Sequence, residues 1–283
     1  VKTLQVIAPG KRPYQISAAM GDLCNVLDAA DMAPADQVQR RAVDVEESTG
    51  SSETMAKQMA NGMEPVSGTG PALTLGPVQA LMSPDVLFEV EAIAMRSHNG
   101  QALARTAAWD PSWHGPPAPF SHALRVGEMC FTSGVTAQSH GFIEAPKDLT
   151  GQSHIVLRRL DALLGQLGAS INDTVKTNLF NVEPGNTEDW AAPALARGSY
   201  YTEPGPAATG LSLKTMRPEG VMIINDVIAM RATNGERLVR SHVWPDNHWD
   251  WTVHLPYRHV KYPIASPFLH SKKVIVISCK DCL

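Results

Sequence analysis

From Gln152 onward the apolar positions Val156, Leu160, Leu163, Leu164 and Leu167 follow the i, i+4, i+7, i+8, i+11 spacing of one helix face. Gly168 supplies a natural C-terminal stop. After Asp173 the run Val175 to Val182, rich in β-branched and apolar residues, predicts a strand. Thr187 to Tyr201 carries Trp190, Ala194, Leu195 and Tyr201 near helical spacing, and Pro193 inside it predicts a helix that is kinked or starts late. Gly205-Pro206 is a turn, Thr209 to Thr215 a strand, Arg217 to Gly220 a turn, and Val221 to Met230 a largely apolar strand. With the hairpin-like stretch Leu124 to Ile143 in front, the predicted order is hairpin, helix, strand, helix, strand, strand.

Two amphipathic helices and a sheet of about five or six strands satisfy their apolar faces if both helices cover one side of the sheet. The other side still needs a cover, and the apolar run Val221 to Ile224 predicts packing against a neighbouring unit or chain. Oligomerisation is the physical expectation.

The same pattern occurs earlier in the chain. Gly70-Pro71 and the run Glu89 to Arg96 recur as Gly205-Pro206 and Ile224 to Arg231, both 135 residues on. Gln15, Leu23, Leu27, Asp36, Val38, Val45 and Glu46 face Gln152, Leu160, Leu164, Asp173, Val175, Val182 and Glu183 at an offset of 137. A change of offset that falls in loops is what a duplicated fold tolerates. Gly100, Arg105 and Trp109 recur as Gly235, Arg240 and Trp244, and Pro119 to His122 as Pro256 to His259. The expected organisation is a first unit at 1–98 without an opening hairpin, a linker at 99–116, and a second unit at 117–232. Residues 233–283 then hold a repeated linker with either the start of a third unit or a hairpin that completes the first. Val1 in place of Met, and a tail that loses the pattern after His259, are expected of a fragment or processed product.

The 283 residues have room for two ordinary cores, and 43% hydrophobic with 18% charged residues is a globular composition. No apolar run approaches the roughly 18 residues of a membrane span, and the first segment lacks the pattern of a signal peptide. The expected compartment is the cytoplasm. A net charge of −4 and the absence of a Lys/Arg cluster interleaved with aromatics argue against nucleic acid as a partner. Four scattered cysteines fit a reducing compartment.

Several look-alike motifs carry little. Cys279 and Cys282 have zinc or redox spacing, but zinc needs two more ligands and the redox motif a following helix. His242, Trp244, His248, Trp249, Trp251, His254 and His259 match the linker containing Trp109, Trp113 and His114, which favours aromatics packed onto the units over a metal or base-stacking site. Gly68 to Pro71 resembles a phosphate loop, yet Pro71 lacks the N–H such a loop needs. Neighbouring Ser-His pairs carry no triad signal, because a nucleophile and its base meet through the fold.

The order Gly127 to Gly134, then Gln152 with Leu160 and Leu164, then Gly168 to Thr177, Gly205-Pro206-Ala207, Pro218-Glu219-Gly220 and Asp226 to Ala229 resembles the Rid family, the YjgF-type reactive-intermediate deaminases. The resemblance runs from about 117 to 232. A diluted version occupies Gln15, Asp36, Val38, Gly70-Pro71, Pro84-Asp85 and Glu89 to Ala94. It implies an α+β fold of the chorismate-mutase-like type, here in tandem, assembled as a trimer with a ligand cleft between units. In a tandem chain, units of one chain could supply some of those neighbours, so the implied assembly is a homo-oligomer or an intrachain pseudo-oligomer. The implied activity is hydrolysis of small enamines or imines to ammonia and a carbonyl product, with neither metal nor organic cofactor.

An imine carbon is electrophilic, so such a site need only hold the substrate, position water and move protons, for which a carboxylate in a partly apolar cleft suffices. By the resemblance that carboxylate falls on Glu91 and Asp226. The aromatic and hydroxyl of the family's Pro-Tyr-Ser segment fall on Phe120 and Ser121, with Tyr257 in the last copy. The family's substrate carboxylate is gripped by an Arg just after Gly-Pro-Ala, a bidentate pair that suits Arg. Those positions read Leu73 and Ala208 here, so the substrate differs, another Arg such as Arg125 or Arg217 substitutes, or the site is dead. A non-catalytic binding or scaffold protein is the alternative, and the ribonuclease activity attached to some family members by name is disfavoured by the acidic balance.

Overall fold

The computed structural model describes residues 5–45, 52–60, 69–183, 185, 187–238, 240 and 272–279. In chain order they form α1 (Arg12–Ala29), β1 (Gln37–Val45), α2 (Ser52–Ala60), β2 (Ala72–Val78), β3 (Phe88–Ser97) and β4 (Arg105–Ala108). There follow β5 (Ala123–Val126), β6 (Met129–Thr132), the short β7 (Gln138–Ser139) and β8 (Phe142–Ile143), and α3 (Leu149–Gln166). The last elements are β9 (Thr174–Val182), α4 (Thr187–Gly198), β10 (Ala207–Leu213), β11 (Ile223–Met230) and β12 (Lys272–Cys279). The fold is mixed α+β.

The larger sheet has the order β10-β9-β11-β6-β5-β4 and the smaller one β12-β3-β1-β2. In the larger, β9 runs parallel to β10 and antiparallel to β11, which pairs antiparallel with β6. In the smaller, β1 runs parallel to β2 and antiparallel to β3, which pairs antiparallel with β12. Read from the parallel edge inward, the four strands β2-β1-β3-β12 therefore repeat the sense of β10-β9-β11-β6. β12 lies along the edge of β3 that faces away from β1.

The apolar stripe of α3 is buried as its spacing predicts, with Val156, Leu160, Leu163 and Leu164 fully enclosed against the larger sheet. Asp148 caps its start by accepting the Gly151 N–H at 2.8 Å. At its end Gly168 adopts φ +74°, so that Ala169 N–H returns to Leu164 O at 2.9 Å. The α1 stripe Ile16, Met20, Leu23 and Leu27 is buried against the smaller sheet in the same way. Its stop is made by Asp31 at φ +56°, with Met32 N–H on Leu27 O at 2.9 Å. Pro193 lies inside α4, which begins at Thr187 and so does not start late as the proline had suggested.

Two buried glutamines fasten the helices to the turns before the last strands. Gln152 donates to Gly220 O at 2.6 Å and accepts from Met222 N at 2.7 Å. Gln15 donates to Asp85 O and accepts from Leu87 N, both at 2.8 Å. Buried ion pairs recur likewise, Asp36 with Arg96 at 2.6 Å and Asp173 with Arg231 at 3.0 Å.

Helices cover one face of each sheet, and the opposite faces meet each other. Val38, Ala72 and Met95 of the smaller sheet form one buried cluster with Leu124, Val126 and Phe131 of the larger. The Phe180 ring comes so near Gly76 that a Cβ there would lie 2.4 Å from its Cζ. The span expected to be a linker contributes β4, an edge strand of the larger sheet, and Trp113 is buried in that sheet's core.

Candidate functional site

Alternation along β1 sends Gln39, Arg41 and Val43 to one face and Arg40 to the other. Arg40 is buried among the helices, where it donates to Met59 O at 2.7 Å, and burial pulls its pKa down to about 10 despite the nearby Cys24. Arg41 turns instead toward the larger sheet. On β3 the same alternation leaves Glu89 and Glu91 partly exposed on the face that carries Arg41, with Glu91 directly opposite Arg41 in register. On the larger sheet Asp226 of β11 is opposite Asn178 of β9.

Arg41 joins the two sheets. Its Nη2 lies 2.7 Å and its Nε 3.1 Å from the two oxygens of Asp226, and its Nη1 bonds Glu91. Asp226 also accepts from Asn178 Nδ2 at 2.9 Å. Burial disfavours the Arg41 charge, but Asp226 and then Glu91 outweigh it and hold the guanidinium above its ordinary pKa. The Asp226 side chain has 0% of its surface exposed, whereas Glu91 keeps 35%.

A cleft of about 200 Å³ opens above this pair. Arg41, Glu89 and Glu91 line it from the smaller sheet, and Asn178, Thr209 and Leu211 from the larger. Lys176 reaches its rim, where it bonds Thr209 Oγ1. Its volume is below the roughly 300 Å³ at which ordinary ligand pockets begin, so an occupant would have to be very small.

The sequence-predicted residues separate into two places. Glu91 lines the cleft, and Asp226 meets it through Arg41 from behind the wall. Phe120 and Ser121 lie elsewhere. Phe120 is fully buried in the core beneath α1 and α2, in one cluster with Leu73, and the Ser121 hydroxyl donates to Gly70 O at 2.8 Å. Neither side chain has surface to offer a ligand, because closing the two halves against each other consumed it. Tyr257, the His/Trp segment from His242 to His259 and Cys282 lie outside the described residues.

Leu73, where the sequence resemblance would set an arginine, is 2% exposed and belongs to the core. Ala208 is exposed on the edge strand β10. Neither suggested substitute reaches the cleft: Arg125 donates to Leu167 O at 2.7 Å and to Gly127 O at 2.9 Å, and Arg217 is exposed in the turn before β11. Arg41 was missed by sequence reasoning. The signal was available, since two adjacent arginines in one strand must face opposite ways and, where the strand is buried, both demand partners. Among the described residues no group of three or more His, Cys, Asp or Glu side chains is arranged to hold a metal ion.

Residues 114–230 match the family model Ribonuc_L-PSP, described as Endoribonuclease L-PSP. A RutC family protein of Pyrococcus abyssi is 28% identical over 117 residues, 41% of this chain and 89% of that protein. Residues 114–230 are a domain of the Rid (YjgF) family. A RutC family protein of Pyrococcus horikoshii is 26% identical over the same length, 41% of this chain and 90% of its own. The solved structure of RidA from an Antarctic Psychrobacter is 21% identical, with a TM-score of 0.38, covering 44% of this chain and 98% of that one. The Rid-family domain thus supplies β5 to β11, and with them Asp226, Asn178 and Thr209 of the cleft. Arg41, Glu89 and Glu91 come from the residues that precede it. No helix among the described residues is long and apolar enough to cross a membrane.

Proposed function

We propose that the protein is a Rid-like hydrolase that takes a small enamine or imine into the cleft between its sheets and releases ammonia. The observation that carries this reading is Glu91, a partly exposed carboxylate held on the cleft wall by Arg41. Water adds its oxygen to the imine carbon while the C=N electron pair moves to nitrogen. Glu91 takes the proton that water gives up and returns it to that nitrogen. It then takes the hydroxyl proton of the resulting carbinolamine and passes it to the amine, which leaves as ammonia with the C–N electron pair as the C–O bond becomes C=O. Asp226 has no surface in the cleft, so its part is to position Arg41, and through it Glu91.

The same reading takes the chain as two Rid-like units in tandem. Its support is the paired set of equivalents: Gln15 with Gln152, Asp36–Arg96 with Asp173–Arg231, and the matching strand order of the two sheets. The largely exposed edge strand β10 leaves room for a further copy of the chain, which sedimentation across a concentration series would detect.

A non-catalytic binding or scaffold protein is the second reading, and the burial of Leu73 beside Phe120 favours it. Ammonia release from a freshly generated small imine separates the two. The hydrolase reading expects release by the parent protein and its loss in Glu91→Gln at unchanged stability. Equal release by parent and variant removes Glu91 from the chemistry and sinks this assignment, and no release by either leaves the scaffold.

A further inference from the structure

The Arg41 fork is already engaged along both of the edges with which an arginine grips a carboxylate. The Nε and Nη2 edge carries Asp226 as a bidentate partner, and Nη1 carries Glu91. A ligand carboxylate would have to displace Glu91 from the wall or compete with a fully buried Asp226 that Asn178 also holds. It would do so in a cleft where Glu91 and Glu89 share the wall with Arg41, the buried Asp226 lies behind that guanidinium, and Lys176 stands at the rim. The balance of formal charge there is negative, so an anion entering pays repulsion as well as the loss of an existing pair. The position that would otherwise offer a free arginine holds the buried Leu73.

We propose that this cleft takes small imines or amines that are neutral or cationic and carry no carboxylate, and that Asp226 is the residue that sets this specificity. This rests on the hydrolase reading only for the word imine, because the charge argument concerns binding. Asp226 acts through Arg41: it occupies the guanidinium so that the cleft wall presents Glu91 and Glu89 to the ligand, with Lys176 held out at the rim on the Thr209 hydroxyl.

The test compares two probes built on a five-membered ring, pyrrolidinium and cyclopentanecarboxylate, titrated into the full chain and read by calorimetry and by the Asn178 side-chain amide resonance. Wild type is expected to bind pyrrolidinium at least about 10-fold more tightly than cyclopentanecarboxylate, a difference of about 1.4 kcal/mol. Asp226→Asn keeps the shape and removes the charge, so Arg41 is freed and affinity for cyclopentanecarboxylate is expected to rise about 10-fold while that for pyrrolidinium falls. Arg41→Gln combined with Asp226→Asn is expected to lose the gain. Equal or tighter carboxylate binding by wild type overturns the proposal, as does binding of neither probe, and this comparison needs no variant to fold. An Asp226→Asn protein that folds and shows no gain overturns the role of Asp226. Cation preference without ammonia release from any imine would remove the hydrolase reading alone. Release of ammonia together with carboxylate preference would remove this inference alone.

Discussion

Arg41 Nη2 lies 2.7 Å from a carboxylate oxygen of Asp226, a contact between residues 185 apart in the chain that ties the two sheets together beneath the cleft. Desolvating such a pair is costly, and the attraction repays it only while both partners are present. The single variant Arg41→Gln leaves the buried Asp226 without its cation and is expected to cost about 3–5 kcal/mol in urea unfolding. Adding Asp226→Asn should recover much of the loss. Additive losses in the double variant would show that the two residues do not act as a pair.

Gln152 satisfies the backbone of the turn before β11 with both ends of its amide. Gln152→Ala strands the Met222 N–H and leaves the Gly220 carbonyl with only the Lys147 N–H at 3.0 Å, with an expected cost of about 1–3 kcal/mol. A change below about 0.5 kcal/mol would mean that water or a local shift replaces both bonds.

His122 is nearly enclosed, with ring centroids 4.9 Å from Trp109 and 4.6 Å from Trp113, and its Nδ1 accepts the Asp110 N–H at 3.0 Å. Burial pulls its pKa down to about 4, against a smaller opposing pull from Asp110. The unfolded chain therefore takes up this proton near pH 6.5 while the folded chain resists until about pH 4. The folded state is penalised progressively as pH falls through that window, by up to about 3 kcal/mol, and no further below it. His122→Gln should flatten the pH dependence of unfolding between pH 6.5 and 4. An unchanged slope would assign the dependence to other groups.

Asp31 and Gly168 perform the same helix stop, but Asp31 does so with a side chain at φ +56°. Asp31→Gly removes that strain and is expected to stabilise the protein by up to about 1 kcal/mol, measurable as a raised unfolding midpoint. Loss of stability would indicate that the Asp31 side chain contributes more than the strain costs.

The elements of the second half were legible because their signals are local. The leucine spacing of α3, Gly168 at its end and the β-branched run of β9 each act within one or two turns of chain. Val221 was read as strand but sits in the turn, its N–H on Pro218 O at 3.1 Å, since an apolar residue at a boundary fits either state. The linker strand β4 was missed because Arg105–Ala108 is too short to carry a period and is strand only by pairing with β5. At the site, Glu91 and Asp226 were identified by resemblance, yet their different exposure was not legible, nor was the burial of Phe120 and Ser121.

The sequence by itself determined the two sets of like elements, the helix faces that cover the sheets, and which carboxylates belong to the last strands. These depend on spacing within short segments and on matches between them. Tertiary structure alone decided that the uncovered faces of the two sheets meet, that Leu73 and Phe120 vanish into the core, and that Arg41 reaches Asp226. The physical reason is that burial and ion pairing are properties of which surfaces come together, and an arginine displays the same letters whether its partner lies one strand or two sheets away.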